Sequence, residues 1–119
     1  MPRTTSEPEA NLPLRPVVFS ILVVLREAPL HGYGIMQQAN EHVGQQAILG
    51  PGTLYRTLKE LRAQGLIEHT DVDDGEDARR QYYRLTPAGN EVAAAEARRL
   101  ADLVRRVDVD LAMPAQETR

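Results

Sequence analysis

The chain has 119 residues, a formal net charge of −3, 26% charged and 42% hydrophobic residues, and no cysteine. That length suffices for one domain around one core, and the missing thiols exclude disulfides, thiolate metal sites and cysteine nucleophiles while fitting a reducing, cytoplasmic setting. Four tyrosines, one phenylalanine and no tryptophan leave little from which to build a broad platform for stacking bases or flat ligands.

Met1 to Asn11 is polar and aperiodic with two prolines, which predicts a disordered arm, taken to end at residue 12. A first helix is expected from Pro13 or Arg15 to Ala28, with Pro16 tolerated in its first turn and Pro29 stopping it. Its run Val17-Val18-Phe19-Ser20-Ile21-Leu22-Val23-Val24-Leu25 is far shorter than the roughly 20 residues that span a bilayer. Acidic residues precede it and no small-residue cleavage site follows, so it does not read as a signal peptide. The helix is apolar nearly all round, which predicts heavy burial and invites a second subunit to complete its cover.

A second helix is expected from Gly32 or Gly34 to His42, with Tyr33, Met36 and Val43 facing inward and Ile35 and Ala39 beside them. Gly44 ends it, and Ala47-Ile48-Leu49 reads as a short extended piece. His31 reads as a turn or capping histidine, and Tyr33 as structural.

The third helix follows Gly50-Pro51 and is closed by Gly65. Leu54, Leu58 and Leu61 recur at helical spacing and make one apolar face. At about 100° per residue, Arg56, Lys59 and Ala63 point the other way, with Tyr55 and Arg62 on a flank. Between Thr53 and Gln64 the cations Arg56, Lys59 and Arg62 face one acid, Glu60. A helix that is apolar behind and basic in front suits a DNA groove, whatever the sign of the whole chain. An ordinary amphipathic surface helix is the plainer alternative.

Leu66 to Val72 and Arg80 to Leu85 read as two strands of a hairpin, the second marked by the alternation in Gln81-Tyr82-Tyr83-Arg84-Leu85. The turn between them carries Asp73, Asp74, Glu76 and Asp77, which phosphates should repel. Arg79 and Arg80 beside it are placed to reach a phosphate or the minor groove. A last helix opens with Thr86 as N-cap and Pro87 in first position and runs to Ala112, about 25 residues or near 38 Å. Leu100, Leu103, Val104, Val107 and Leu111 form one stripe along it. So long a helix cannot lie wholly on so small a domain, so the stripe is expected to pack partly on the first helix and partly on a second subunit.

The fold class expected is therefore mainly α with a small β-hairpin: a winged helix-turn-helix domain over residues 13–86, a dimerisation helix over 87–112 and a flexible tail over 113–119. In helix-turn-helix modules the second helix of the pair enters the major groove, and here that is the helix beginning near Thr53.

Four motifs carry a resemblance to PadR-family transcriptional regulators, covering about Leu12 to Val107. They are Ile21-Leu22 with Leu25; His31-Gly32-Tyr33-Gly34-Ile35; Pro51-Gly52-Thr53-Leu54-Tyr55 with Leu58, Leu61 and Gly65-Leu66-Ile67; and Tyr82-Tyr83-Arg84-Leu85-Thr86-Pro87-Ala88-Gly89. The resemblance implies a bacterial homodimeric repressor on an inverted-repeat operator, released in many relatives by a small molecule. It also implies a dimer built by the C-terminal helix with the first helix, here Leu14 and Val18 joining the stripe. Thr53 is expected to meet a phosphate, to cap its helix, or both. Tyr55, which resembles the family's near-fixed tyrosine, contacts a phosphate or packs between helices. Arg56 and Lys59 are the candidates for base edges or backbone, and Arg62 for a phosphate.

An enzyme is not expected. Gly50-Pro51-Gly52 lacks the Lys-Ser/Thr of a P-loop, and no nucleophile stands beside a base. His31, His42 and His69 lack metal-ligand spacing, and the acidic turn lacks that of an EF-hand, so no metal or cofactor is assigned. The alternative to DNA is a winged helix that binds protein, and the basic face of the third helix argues against it.

Overall fold

The computed structural model describes residues 12–43, 49–72 and 81–107, apart from the side chains of His42 and Val43. Seven elements follow in order: α1 (Pro16–Glu27), β1 (Leu30–His31), α2 (Gly32–Val43), α3 (Pro51–Ala63), β2 (Ile67–Thr70), β3 (Tyr82–Leu85) and α4 (Pro87–Val107). The arm to Asn11, residues 44–48, the acidic turn and the chain beyond Val107 lie outside the described residues.

α1 is the centre of the core. Ile21, Leu22, Val24 and Leu25 are buried, and α2, β3 and α4 pack around them. The helix begins at Pro16, one to three residues later than expected, because Arg15 is extended (φ −64°, ψ 145°) and serves as N-cap. Leu12 and Leu14 therefore precede α1 and pack against the core. α2 turns Ile35 and Ala39 inward, with Met36 partly buried. Tyr33, expected to face inward, is instead 59% exposed. Ile35 and Ala39, four residues apart, take the buried face of α2, and Tyr33 lies off it.

The sheet has three antiparallel strands in the order β1-β3-β2. β2 and β3 are the expected hairpin, in register with Ile67 opposite Leu85 and Glu68 opposite Arg84. The third strand was not expected: Leu30-His31 pairs with Tyr83 and Tyr82. Two residues are too few to show a period, and the pairing is long-range.

Thr86 caps α4 as expected, its Oγ1 accepting the Gly89 N–H at 3.0 Å. The same hydroxyl donates to Gly65 O at 2.7 Å, and Thr86 N–H donates to Leu66 O at 3.1 Å. Gly89 lies so close to the Leu66 carbonyl that a Cβ there would collide with backbone. The near half of α4 buries Val92, Ala93 and Ala95, while Arg26 Nε of α1 donates to Asn90 Oδ1 at 2.8 Å. The far half carries Leu103, Val104 and Val107, which are 45%, 47% and 73% exposed. No helix among the described residues is long and apolar enough to cross a membrane.

One charge is buried in this packing. Glu96 of α4 is 1% exposed and accepts hydrogen bonds from Arg99 at 2.6 and 2.8 Å and from Leu14 N–H at 3.2 Å. The Arg99 hydrogen bonds hold its carboxyl below the ordinary value of 4.5, against the opposing effect of burial, and the Leu14 N–H adds to them. A depressed folded-state pKa gives stability that is full above the unfolded value and is lost as pH falls through the folded one. Wild type should therefore be more stable than Glu96→Gln near pH 7, and the gap should close as pH falls below the ordinary carboxylate range. Urea midpoints across pH 7 to 3 test this; a gap independent of pH would remove the charge from the account.

Candidate nucleic-acid interface

α3 is held at both ends. Gly50 is its N-cap and Pro51 its first residue, where a missing N–H is harmless. Thr53 is therefore two residues inside the helix, and its expected alternative role as N-cap is corrected to Gly50. Just before the cap, Asn40 of α2 grips Leu49 by both backbone groups. Asn40 Nδ2 donates to Leu49 O at 3.1 Å and Leu49 N–H donates to Asn40 Oδ1 at 2.6 Å. At the far end Gly65 has φ 78°, its N–H donates to Arg62 O, and Leu66 N–H donates to Leu61 O, each at 3.0 Å. Those two bonds with a left-handed glycine make a Schellman closure.

Between these ends the helix divides as expected. Leu54, Leu58 and Leu61 are buried in the core, joined by Thr57. Thr53, Tyr55, Arg56, Lys59 and Arg62 are exposed on the other side. Among the described residues neither Arg56 nor Lys59 has an acidic partner, whereas Arg84, Arg99, Arg105 and Arg106 each pair with a carboxylate. The one acid of α3, Glu60, is turned to Arg15 at 3.5 Å. The outer face of α3 is thus a row of uncompensated cations on a fixed rod.

Tyr55 packs between the helices, one of its two expected roles. Its ring lies on the backbone of Gly32, at the start of α2, so closely that a Cβ on Gly32 would stand 2.5 Å from the hydroxyl and 2.9 Å from Cε1. The side chain nevertheless remains 53% exposed. Tyr55 thereby sets the spacing of α2 and α3 and presents a hydroxyl at their junction. His31 is the expected capping residue, its Nδ1 accepting the Gly34 N–H at 3.2 Å, and its ring meets Tyr82 edge-on at 5.3 Å.

Tyr83 is not among the site residues expected from the sequence. It is buried under the α3–sheet junction, with His69 against it at 4.8 Å. Burial raises its pKa, Tyr55 adds to the rise and Arg62 opposes it. Arg62 therefore stands near Tyr83, at the seam between α3 and the wing. Arg79 and Arg80 lie outside the described residues. Of the expected dimer residues, Leu14 packs partly on the core and Val18 is buried in it, so Val18 offers a partner little surface. Leu100 is half-buried, Leu103, Val104 and Val107 are open, and Leu111 is outside the described residues. Among the described residues no three His, Asp or Glu gather as metal ligands.

Helix pair, clamped third helix and flanking hairpin define a winged helix-turn-helix domain. A family model described as the transcriptional regulator PadR-like family matches residues 21–95. The chain belongs to that family. It is 39% identical over 79 residues to Transcriptional regulator Rv3488 of Mycobacterium tuberculosis, covering 66% of this chain and 69% of that protein. It is 38% identical over 87 residues to an uncharacterized 37.1 kDa protein in transposon TN4556 of Streptomyces fradiae, covering 73% of this chain but only 24% of that protein. Among solved structures, Bacillus subtilis PadR in complex with operator DNA is similar at 29% identity and a TM-score of 0.59, over 70% of this chain and 46% of that one.

The Asn40 bridge can be tested by itself. Asn40→Ala leaves a buried N–H and C=O on Leu49 without partners and is expected to cost about 1–3 kcal/mol. Chemical denaturation measures the loss, and amide exchange at Leu49 should accelerate. A variant as stable as wild type would show that the bridge does not hold α3.

Proposed function

We propose that the chain is a sequence-selective DNA-binding transcriptional regulator, a homodimeric repressor on an inverted-repeat operator whose release is set by a small-molecule effector. The observation that carries this reading is the outer face of α3, with unpaired Arg56 and Lys59 beside Arg62 on a helix fastened at both ends. The operator complex of the similar Bacillus subtilis protein supports it. In this reading α3 enters the major groove, and Arg56 or Lys59 meets base edges. Thr53, the Tyr55 hydroxyl and Arg62 meet phosphates, with Arg79 and Arg80 reaching the backbone from the wing. Residues 13–86 form the DNA-binding unit and 87–112 the dimerisation helix. The apolar residues of the far half of α4 meet their copies and so set the distance between two recognition helices. Binding to the chromosome places the protein in the cytoplasm.

The test is titration of labelled duplexes, from the chain's own upstream region or from unbiased selection, against scrambled DNA at two salt concentrations. Tight, selective binding by two protomers is expected. Arg56→Ala should weaken it by about 1–3 kcal/mol and relax preference at one operator position. A loss spread evenly over all sequences would reassign Arg56 to a phosphate, and no selective duplex at all would sink the reading.

The dimer has its own test. Leu103→Asp places a charge in the apolar stripe and should convert the dimer to monomers in sedimentation velocity. A variant that sediments as wild type would remove the far half of α4 from the interface.

A further inference from the structure

The buried Glu96 has no part in the DNA reading, and it lies at one end of a connected series of contacts. Its Oε2 accepts the N–H of Leu14, 82 positions away in sequence. Leu14 belongs to the segment 12–15 that precedes α1 and packs on the core, a strap with contacts to both α4 and α3. The next residue, Arg15, reaches the other way, its Nη2 standing 3.5 Å from Oε1 of Glu60 on α3. Strap and helix do not pack closely here. A cavity of about 160 Å³ lies between them, lined by Pro13, Leu14, Arg15, Val18, the α3 residues Glu60 and Leu61, and the C-cap Gln64. Arg15 spans that gap from a strap whose hold on α4 is the Glu96 carboxylate.

We propose that Glu96 is a positioning residue for the DNA-binding face: it latches the strap so that Arg15 neutralises Glu60, the single carboxylate of the recognition helix. The pair is exposed on both sides, so it adds little to folding stability. Its effect is on the field of α3. An unpaired carboxylate next to Lys59 would offset one of the three cations of that helix and repel phosphate at the moment of docking. The latch also connects α4, the helix assigned to the dimer, with the helix assigned to the groove, through one carboxylate, two strap residues and one ion pair. This inference rests on the DNA-binding reading and adds to it a set of residues that touch no DNA.

The experiment compares duplex binding by full-length wild type, Arg15→Gln, Glu96→Ala and Glu96→Gln, each also in a Glu60→Gln background, at low and moderate salt, with folding checked by circular dichroism. Arg15→Gln and Glu96→Ala should each lower affinity by roughly three- to tenfold at low salt, less at moderate salt. Glu96→Gln keeps an oxygen for the Leu14 N–H and should restore most of the loss. In the Glu60→Gln background Arg15 has no partner to hold it beside α3, so all three effects should fall to roughly twofold or less. Amide exchange at Leu14 should quicken about tenfold or more in Glu96→Ala. Losses that persist without Glu60 would overturn the proposal, whether Arg15 touches phosphate itself or Glu96 merely supports the fold. An unchanged Leu14 exchange rate would overturn the latch. Wild type that binds DNA without this pattern sinks the strap alone, and wild type that binds no duplex sinks the functional reading with it.

Discussion

The turn at Gly65 and Leu66 fixes the geometry on which the rest depends. There the recognition helix ends, the wing begins, and the last helix is attached. Thr86 takes hold of it twice, from its hydroxyl to Gly65 O and from its N–H to Leu66 O. The same hydroxyl then accepts the Gly89 N–H, so one side chain closes α3 and opens α4. Gly89 lets the first turn of α4 come down on the Leu66 carbonyl, an approach that any other residue would hold off. The end of α3, the start of β2 and the start of α4 thus share one joint, and the direction of α4 is tied to that of α3. The proposed reading, with subunits meeting through α4 and DNA read through α3, depends on that angle being fixed.

Charge is arranged around this joint by pairing. A chain with a net charge of −3 keeps unpaired cations on the outer face of α3 while several of its other arginines are occupied. Arg84 is held by Glu68 across the hairpin, Arg99 by Glu96, and Arg105 and Arg106 by Asp102. The local field is therefore set less by composition than by which cations have no acidic partner, and Arg56 and Lys59 of α3 are among them.

Features governed by neighbours in sequence were legible in it. Pro51 and Gly65 bound α3, Thr86-Pro87 opens α4, and the spacing of Leu54, Leu58 and Leu61 gives the buried face of α3, because each depends on local backbone chemistry or helical period. Features governed by distant partners were not. β1 exists only because Tyr82 and Tyr83 come to lie beside Leu30-His31. Glu96 reads as one more surface charge until Leu14 is brought to it. Asn40 looks like an ordinary polar residue of α2 until Leu49 folds back against it. Tyr33 was misread because tyrosine counts as apolar in a periodic pattern yet remains outside when Ile35 and Ala39 take the inner face. At Tyr55 the packing alternative holds, since the ring lies on the Gly32 backbone while the side chain stays half exposed.

The contact between Tyr55 and Gly32 has an evolutionary consequence. Any side chain at position 32 would meet the tyrosine ring, its hydroxyl at 2.5 Å and Cε1 and Cζ at 2.9 Å. A change to phenylalanine would therefore relieve only part of the crowding. While the ring keeps its place, growth at position 32 must move it, so the two sites are expected to drift together, the ring shrinking or swinging into solvent as residue 32 grows. A lineage that gives up the ring must find another spacer between α2 and α3.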